Sequence, residues 1–328
     1  MAGNVFKLYT GAGTPISERG LQLPPFERLA TLNDPADYLA GAGLCDAVNV
    51  ALTLGQPLLV TGEPGTGKTQ LAASIAYELG LSEPFVFHTK TTSTARDLFY
   101  RYDSLRHFHD THVRQEELAI ESYITYEALG LAILLSMNPA DANPYLPEHL
   151  RDRGPLRSVV LVDEIDKAPR DLPNDILNEV EHLAFNVKET GRTFRAEQSF
   201  RPILVLTSNS EKNLPDAFLR RCVFYHIPFP EKDDLKKIVQ RRLKLDAAFT
   251  PEMLEHALAH FAQIRELSLK KKPATAELLA WLRVLDKLQI DVQALRPGQT
   301  EALAFTYAIL AKSNEDKEMI VRHMQAEP

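Results

Sequence analysis

The chain has 328 residues, 45% hydrophobic and 25% charged, enough for two domains and a sizeable core. A formal charge of −7 and a pI near 5.8 exclude a passive nucleic-acid coat, which needs a broadly basic surface, and leave room only for a local basic patch. Two cysteines, Cys45 and Cys222, cannot form a disulfide framework and share no metal-ligand spacing, so a reduced, cytoplasmic protein is expected.

In chain order, the opening MAGNVFKLYTGAGTP lacks a charged start followed by an apolar core, so no signal peptide is expected. Residues 1–35 are rich in Gly and Pro without periodicity and read as an extended arm; Gly11-Ala-Gly13 and Gly41-Ala-Gly43 read as flexible turns. A helix is expected over 37–54, and another over 67–80. Apolar runs at 57–61, 85–90, 158–163, 203–209 and 223–227 lack strict alternation, as strands do when a parallel sheet is covered on both faces. Their alternation with helical stretches predicts an α/β domain over 36–230 with a five-stranded parallel sheet.

Two segments interrupt that rhythm. Residues 91–155 form a long insert containing ALGLAILLSM, 128–137, which is far shorter than the roughly 20 residues a bilayer requires and reads as a buried helix. Residues 185–200 carry Glu189-Thr190-Gly191, a hairpin turn signal. Beyond Pro230 the strands stop. Helical periodicity at 231–244, 251–263, 275–288 and 297–312, with a last charged helix, predicts a smaller all-α domain over 231–328. Leu235, Ile238, Val239 and Leu243 give the first of these helices an apolar side and a charged outer face, and Trp281 belongs to a core.

The chemistry concentrates at strand ends. TGEPGTGKTQ fits G-x-x-x-x-G-K-[ST] between an apolar strand and a helix, so Gly62, Glu63, Pro64, Gly65, Thr66, Gly67, Lys68, Thr69 and Gln70 are expected to contact a nucleotide. Backbone N–H groups and the helix dipole suit phosphate, Lys68 reaches the β/γ-phosphates, and Thr69 ligates Mg²⁺. VVLVDEIDKAP places Asp163 and Glu164 at a strand tip, Asp163 to hold Mg²⁺ and Glu164 to polarise an attacking water. Asn209, ending PILVLTSN, either orients that water or makes a turn. In NLPDAFLRRC, Arg220 and Arg221 close a short helix, either as cations favouring its dipole or as guanidinium groups for phosphoryl transfer on a neighbouring chain.

Taken together, GEPGTGKT, LVDEID, LTSN and LPDAFLRRC stand in the order of an AAA+ ATPase, and the chain resembles that family over about residues 40–290. GPLRSVVLVDEIDKAP and the 178–209 segment with its hairpin are similar to the MoxR-type, dynein-related branch, and TTSTARDLFYRYD falls where that branch carries its helix-2 insert. The resemblance implies a P-loop NTPase with a helical lid, ATP and Mg²⁺ as cofactors, Asn209 as sensor 1 and Arg221 as the arginine finger, with Arg220 second. It also implies a homo-oligomeric, usually hexameric ring, and a protein partner such as one with a von Willebrand A domain. One position departs from the pattern: where the branch carries a sensor-2 Arg, KKKPATAELLAWLR offers Ala274, or Glu277 under a shifted alignment, with Lys271, Lys272 or Arg283 as substitutes.

The leading expectation is an ATP hydrolase acting as a ring motor that remodels or activates a protein, with no membrane segment and with the acidic balance arguing against nucleic acid. The alternatives are a nucleic-acid-directed factor (a helicase, a clamp-loader relative or a restriction-type GTPase subunit) and a nucleotide-gated scaffold with little turnover. HFHDTH, 107–112, looks like a metal-ligand run but lacks companion ligands, and is read as a solvated polar helix or loop. The basic clusters DDLKKIVQRRLK and SLKKK are read as solvated helix faces rather than nucleic-acid contacts.

Overall fold

The computed structural model describes residues 8–9, 11–20, 22, 34–114, 118–209 and 214–326; most of the expected arm lies outside them. The chain separates into two compact units, Tyr38–Glu63 with Gly67–Pro228, and Phe229 onward with Pro64–Thr66 and the described residues up to Asp37.

The first unit is α/β. Its strands in chain order are β1 (Leu58–Gly62), β2 (Phe85–His88), β3 (Tyr100–Tyr102), β4 (Ile124–Tyr126), β5 (Val159–Asp163), β6 (Ala184–Val187), β7 (Arg192–Arg195), β8 (Ile203–Ser208) and β9 (Val223–Ile227). Five form a parallel sheet in the order β2-β5-β8-β1-β9. The three central strands are buried almost throughout, and the lack of alternation in their sequence has a direct cause. Leu59, Val160, Val162, Leu204 and Leu206 feed one apolar core, while Leu58, Val60, Val159, Leu161 and Val205 feed the core on the opposite face. The edge strands β2 and β9 do alternate, exposing Val86, His88, Phe224 and His226.

The insert supplies the cover for one face. Its apolar stretch forms a helix, Ala128–Ser136, with eight of its nine residues buried. Gly130 lies so close to the chain that an added Cβ would fall 2.0 Å from the Phe99 carbonyl oxygen. β3 and β4 make a small antiparallel pair, as do β6 and β7 around the turn carrying Gly191. Between insert and hairpin Phe99 stacks on Phe185, Tyr126 meets Phe185 and Phe194 edge-on, and Phe194 tilts against Phe185.

The strand at 223–227 and the helix at 275–288 end where expected, and the other elements differ at one or both ends by one to five residues. The first helix runs Ala42–Leu54 rather than from 37, because Gly41 is extended (ψ 156) and a separate turn occupies Pro35–Asp37. The strand expected to 90 stops at His88, and Asn209 lies just past β8. The second helix is Lys68–Glu78, since Gly67 is left-handed and lies before its first turn.

The second unit packs helices Lys232–Arg242, Pro251–Glu266, Thr275–Leu288, Gln299–Leu310 and Asn314–Ala326 around Trp281, Phe261, Leu278 and Leu310. Inside it, His260 stacks against both Trp281 and Tyr307, with its Nε2 2.8 Å from the Tyr307 hydroxyl. Burial pulls the imidazole pKa down to about 4. The unfolded chain therefore binds this proton below about pH 6.5 while the folded chain refuses it until about pH 4. Stability from this group is present above pH 6.5 and is lost as pH falls through that window, by up to about 3 kcal/mol. Urea unfolding of wild type against His260→Phe at pH 7 and pH 4.5 should show the variant losing less stability on acidification.

Candidate nucleotide-hydrolysis site

The parallel register aligns Gly62, His88, Asp163 and Ser208 at the carboxyl edge of the sheet, which is where open α/β sheets bind ligands. β8 lies between β1 and β5, so its tip serves both the loop after β1 and the carboxylates after β5.

The loop turns through Gly65 (φ +79) and Gly67 (φ +90), conformations that only glycine adopts freely, and enters the Lys68–Glu78 helix. Tyr38 closes in on it: a Cβ on Gly67 would lie 3.1 Å from the ring. Lys68 is buried, and its Nζ donates to the carbonyls of Gly62 (2.8 Å) and Glu63 (2.9 Å). Desolvation by burial lowers its pKa, opposed by the nearby charges of Asp166, Asp163, Glu164 and Glu63.

Asp163 organises the next tier. Its Oδ1 accepts from Thr69 Oγ1 (3.0 Å) and from Thr207 Oγ1 (2.7 Å), and its Oδ2 lies 3.5 Å from His88 Nδ1. Thr207, fully buried, also accepts the Glu164 backbone N–H at 2.9 Å, so one hydroxyl fixes both acidic residues. A threonine hydroxyl and a carboxylate in contact are the hard oxygen donors that Mg²⁺ takes alongside phosphate oxygens, and this pair fits that ion.

Glu164 occupies the left-handed region at φ 55, a strained conformation of the kind that clusters at functional sites. Its carboxylate accepts from Asn209 Nδ2 (3.2 Å) and from Lys167, and Asn209 N–H donates to Asp166. Asn209 is thus hydrogen-bonded to both Glu164 and Asp166. His88, Asp166 and Lys167 were not singled out in the sequence; only the fold places His88 beside Asp163. Thr207 carried a signal, a polar residue closing the apolar run ILVL.

Arg221 lies elsewhere. β9 starts in register with the start of β1, Val223 opposite Leu58, so Arg221 stands at the amino edge of the sheet. The five-residue β1 separates that edge from the phosphate loop, about 13 Å at roughly 3.3 Å per residue. There its Nε donates to Glu181 Oε2 (3.1 Å) and its Nη1 to the Ala217 carbonyl (3.0 Å). The neighbouring Cys222 thiol is pushed up to about 12 by burial, whereas Cys45 is exposed. A thiol-specific reagent at pH 8 should therefore label one cysteine quickly, and Cys45→Ser should remove that fast phase.

The remaining sequence candidates fall in the helical unit or the insert. Ala274 precedes the Thr275–Leu288 helix, and its N–H donates to Glu277, which pairs with Lys312. Neither position presents a cation. The histidine run lies on Ser104–His109 and the π-helical turn Asp110–Arg114. Most of the run is exposed, as expected of a solvated helix or loop, with two exceptions: His107 stacks on Tyr123, and Asp110 is buried beside Arg106 and His109. Among the described residues no cluster of three His, Cys, Asp or Glu could hold a metal, and no helix is long and apolar enough to cross a membrane.

A glycine-rich loop after β1 and an acidic pair after β5 on one edge of a parallel sheet define a P-loop NTPase fold. The family model for the AAA domain (dynein-related subfamily) matches residues 57–222, just over half of the chain, and the chain belongs to that family. No curated protein matches it.

Proposed function

We propose that the chain is a Mg-ATP-hydrolysing ring motor of MoxR type, working as a homo-oligomer, in the usual case a hexamer, to remodel or activate a protein partner such as one with a von Willebrand A domain. One observation carries the reading: the Thr69–Asp163–Thr207–Glu164–Asn209 network gathers hydrolytic groups at one sheet edge, while Arg221 stands at the other. Mg²⁺, when bound, would supply positive charge against the charge that develops on the phosphates. Thr69 and Asp163 hold it, the loop N–H groups and Lys68 orient the phosphates, and Glu164 takes the proton of the attacking water with Asn209 fixing its carboxylate. Arg221 completes the site of an adjoining copy. A lysine satisfied by two backbone carbonyls and a carboxylate shared by Asn209 and Lys167 suit a site that rearranges when phosphate arrives.

Turnover per protomer with Mg-ATP should rise with protein concentration as assemblies form by light scattering, and immobilised Glu164→Gln protein with ATP should retain a protein partner from a lysate. Turnover that is unchanged where scattering shows only monomers would overturn the ring reading, and stimulation by DNA would overturn the protein-directed one.

A further inference from the structure

We infer that Glu181 is a positioning residue for hydrolysis on a neighbouring copy, holding Arg221 in the orientation it presents; this rests on the proposed role of Arg221. Glu181 lies in the Leu177–His182 helix, which follows the acidic pair in sequence, yet its carboxylate grips Arg221 Nε at the opposite sheet edge. With Nη1 tied to the Ala217 carbonyl, two of the three guanidinium nitrogens are fixed. The backbone under Glu181 is fixed in turn. Arg201 spans from the Gly55 carbonyl (Nε, 3.1 Å) to the Glu181 carbonyl (Nη2, 3.0 Å), tying this helix to the turn that leads into β1. Leu177, Val180, Phe218 and Cys222 line a cavity of about 120 Å³ beside these groups.

An ion pair with both side chains about half exposed adds little to stability. Its fixed geometry has a clearer use: a guanidinium with many rotamers reaches a neighbour's phosphate productively only if it is aimed, and a displacement near 1 Å can cost about 10²-fold in rate. The carboxylate also leaves Arg221 a cation, with its remaining Nη2 donors available for phosphate oxygens.

The test mixes protomers. Glu181→Ala alone should lower kcat about 10-fold or more with the KM for ATP little changed, and Glu181→Gln, which keeps an acceptor oxygen, should recover most of the loss. Mixed with Glu164→Gln protomers, Glu181→Ala protomers should regain activity, because their intact nucleotide sites then face an intact Glu181–Arg221 pair. Arg221→Ala mixed with Glu164→Gln should behave in the same way and tests the underlying reading. Rescue of Arg221→Ala without rescue of Glu181→Ala would overturn the inference and leave that reading standing, since Glu181 would then act on its own site. Wild-type kcat in Glu181→Ala would overturn it as well. Failure of both rescues would overturn the trans-acting role of Arg221 itself.

Discussion

Glu164→Gln should bind ATP within a few-fold of wild type and hydrolyse it about 10²–10⁴-fold more slowly, the range a positioned general base supplies. The substitution keeps the side chain's length and an oxygen for Asn209 Nδ2, and the main-chain bond from Glu164 N–H to Thr207 is untouched, so the left-handed turn at φ 55 survives. What is lost is the basic carboxylate and its ion pair with Lys167. Lys68, Thr69 and Asp163 remain to bind the nucleotide. Stopped-flow binding of a fluorescent ATP analogue together with phosphate release separates the two effects. Steady wild-type turnover in the variant would remove Glu164 from the role of base; lost binding would instead make it part of the binding surface. Thr207→Val is a useful companion, because it strips hydrogen bonds from Asp163 and Glu164 at once without adding bulk.

The nucleotide-binding sheet was largely legible in the sequence because its signals are local. A strand covered on both faces is apolar along its length, as the three central strands are, and the two edge strands kept enough apolar residues to be read with them. The glycine-rich loop and the acidic pair are contiguous motifs whose chemistry is fixed by spacing. Strand order was not legible, and much of the site follows from it: with β8 between β1 and β5, Thr207 reaches both Asp163 and Glu164, and with β2 beside β5, His88 falls against Asp163. Contacts between residues tens of positions apart leave no periodicity to read.

The insert shows the other limit. HFHDTH reads as polar and solvated, and four of its six residues are exposed; what the run could not show is the stacking of His107 on Tyr123 and the burial of Asp110, which follow where β3 and β4 pair on either side of the segment. Helix ends were misplaced where a glycine conformation decided them, as at Gly41 and Gly67. The Glu181–Arg221 pair left no signal in the sequence, because forty residues separate the partners. In the structure the Arg221 guanidinium is held by the Glu181 carboxylate and the Ala217 carbonyl.

Arg221→Ala should lower kcat by about 10³-fold or more while leaving ATP binding and the folded state intact, because arginine fingers contribute 10³–10⁵ to phosphoryl transfer. The side chain is half exposed and its bond to Glu181 is a surface ion pair, so the stability cost is within roughly 1 kcal/mol. Arg221→Lys should not restore the rate: lysine offers a single ammonium where the arginine fork keeps one nitrogen on Glu181 and another on Ala217 while presenting the third. The geometry makes a strong further demand. Since β1 separates Arg221 from its own phosphate loop by about 13 Å, at roughly 3.3 Å per residue, the loss must appear only in assemblies. Diluted to monomers, wild type and Arg221→Ala should hydrolyse ATP at the same low rate, and the two curves should part as concentration brings copies together. A difference that persists in the monomer would place the arginine in its own site and contradict the register of β9 against β1; a variant with full activity in the assembled state would leave Arg221 as an ordinary helix end.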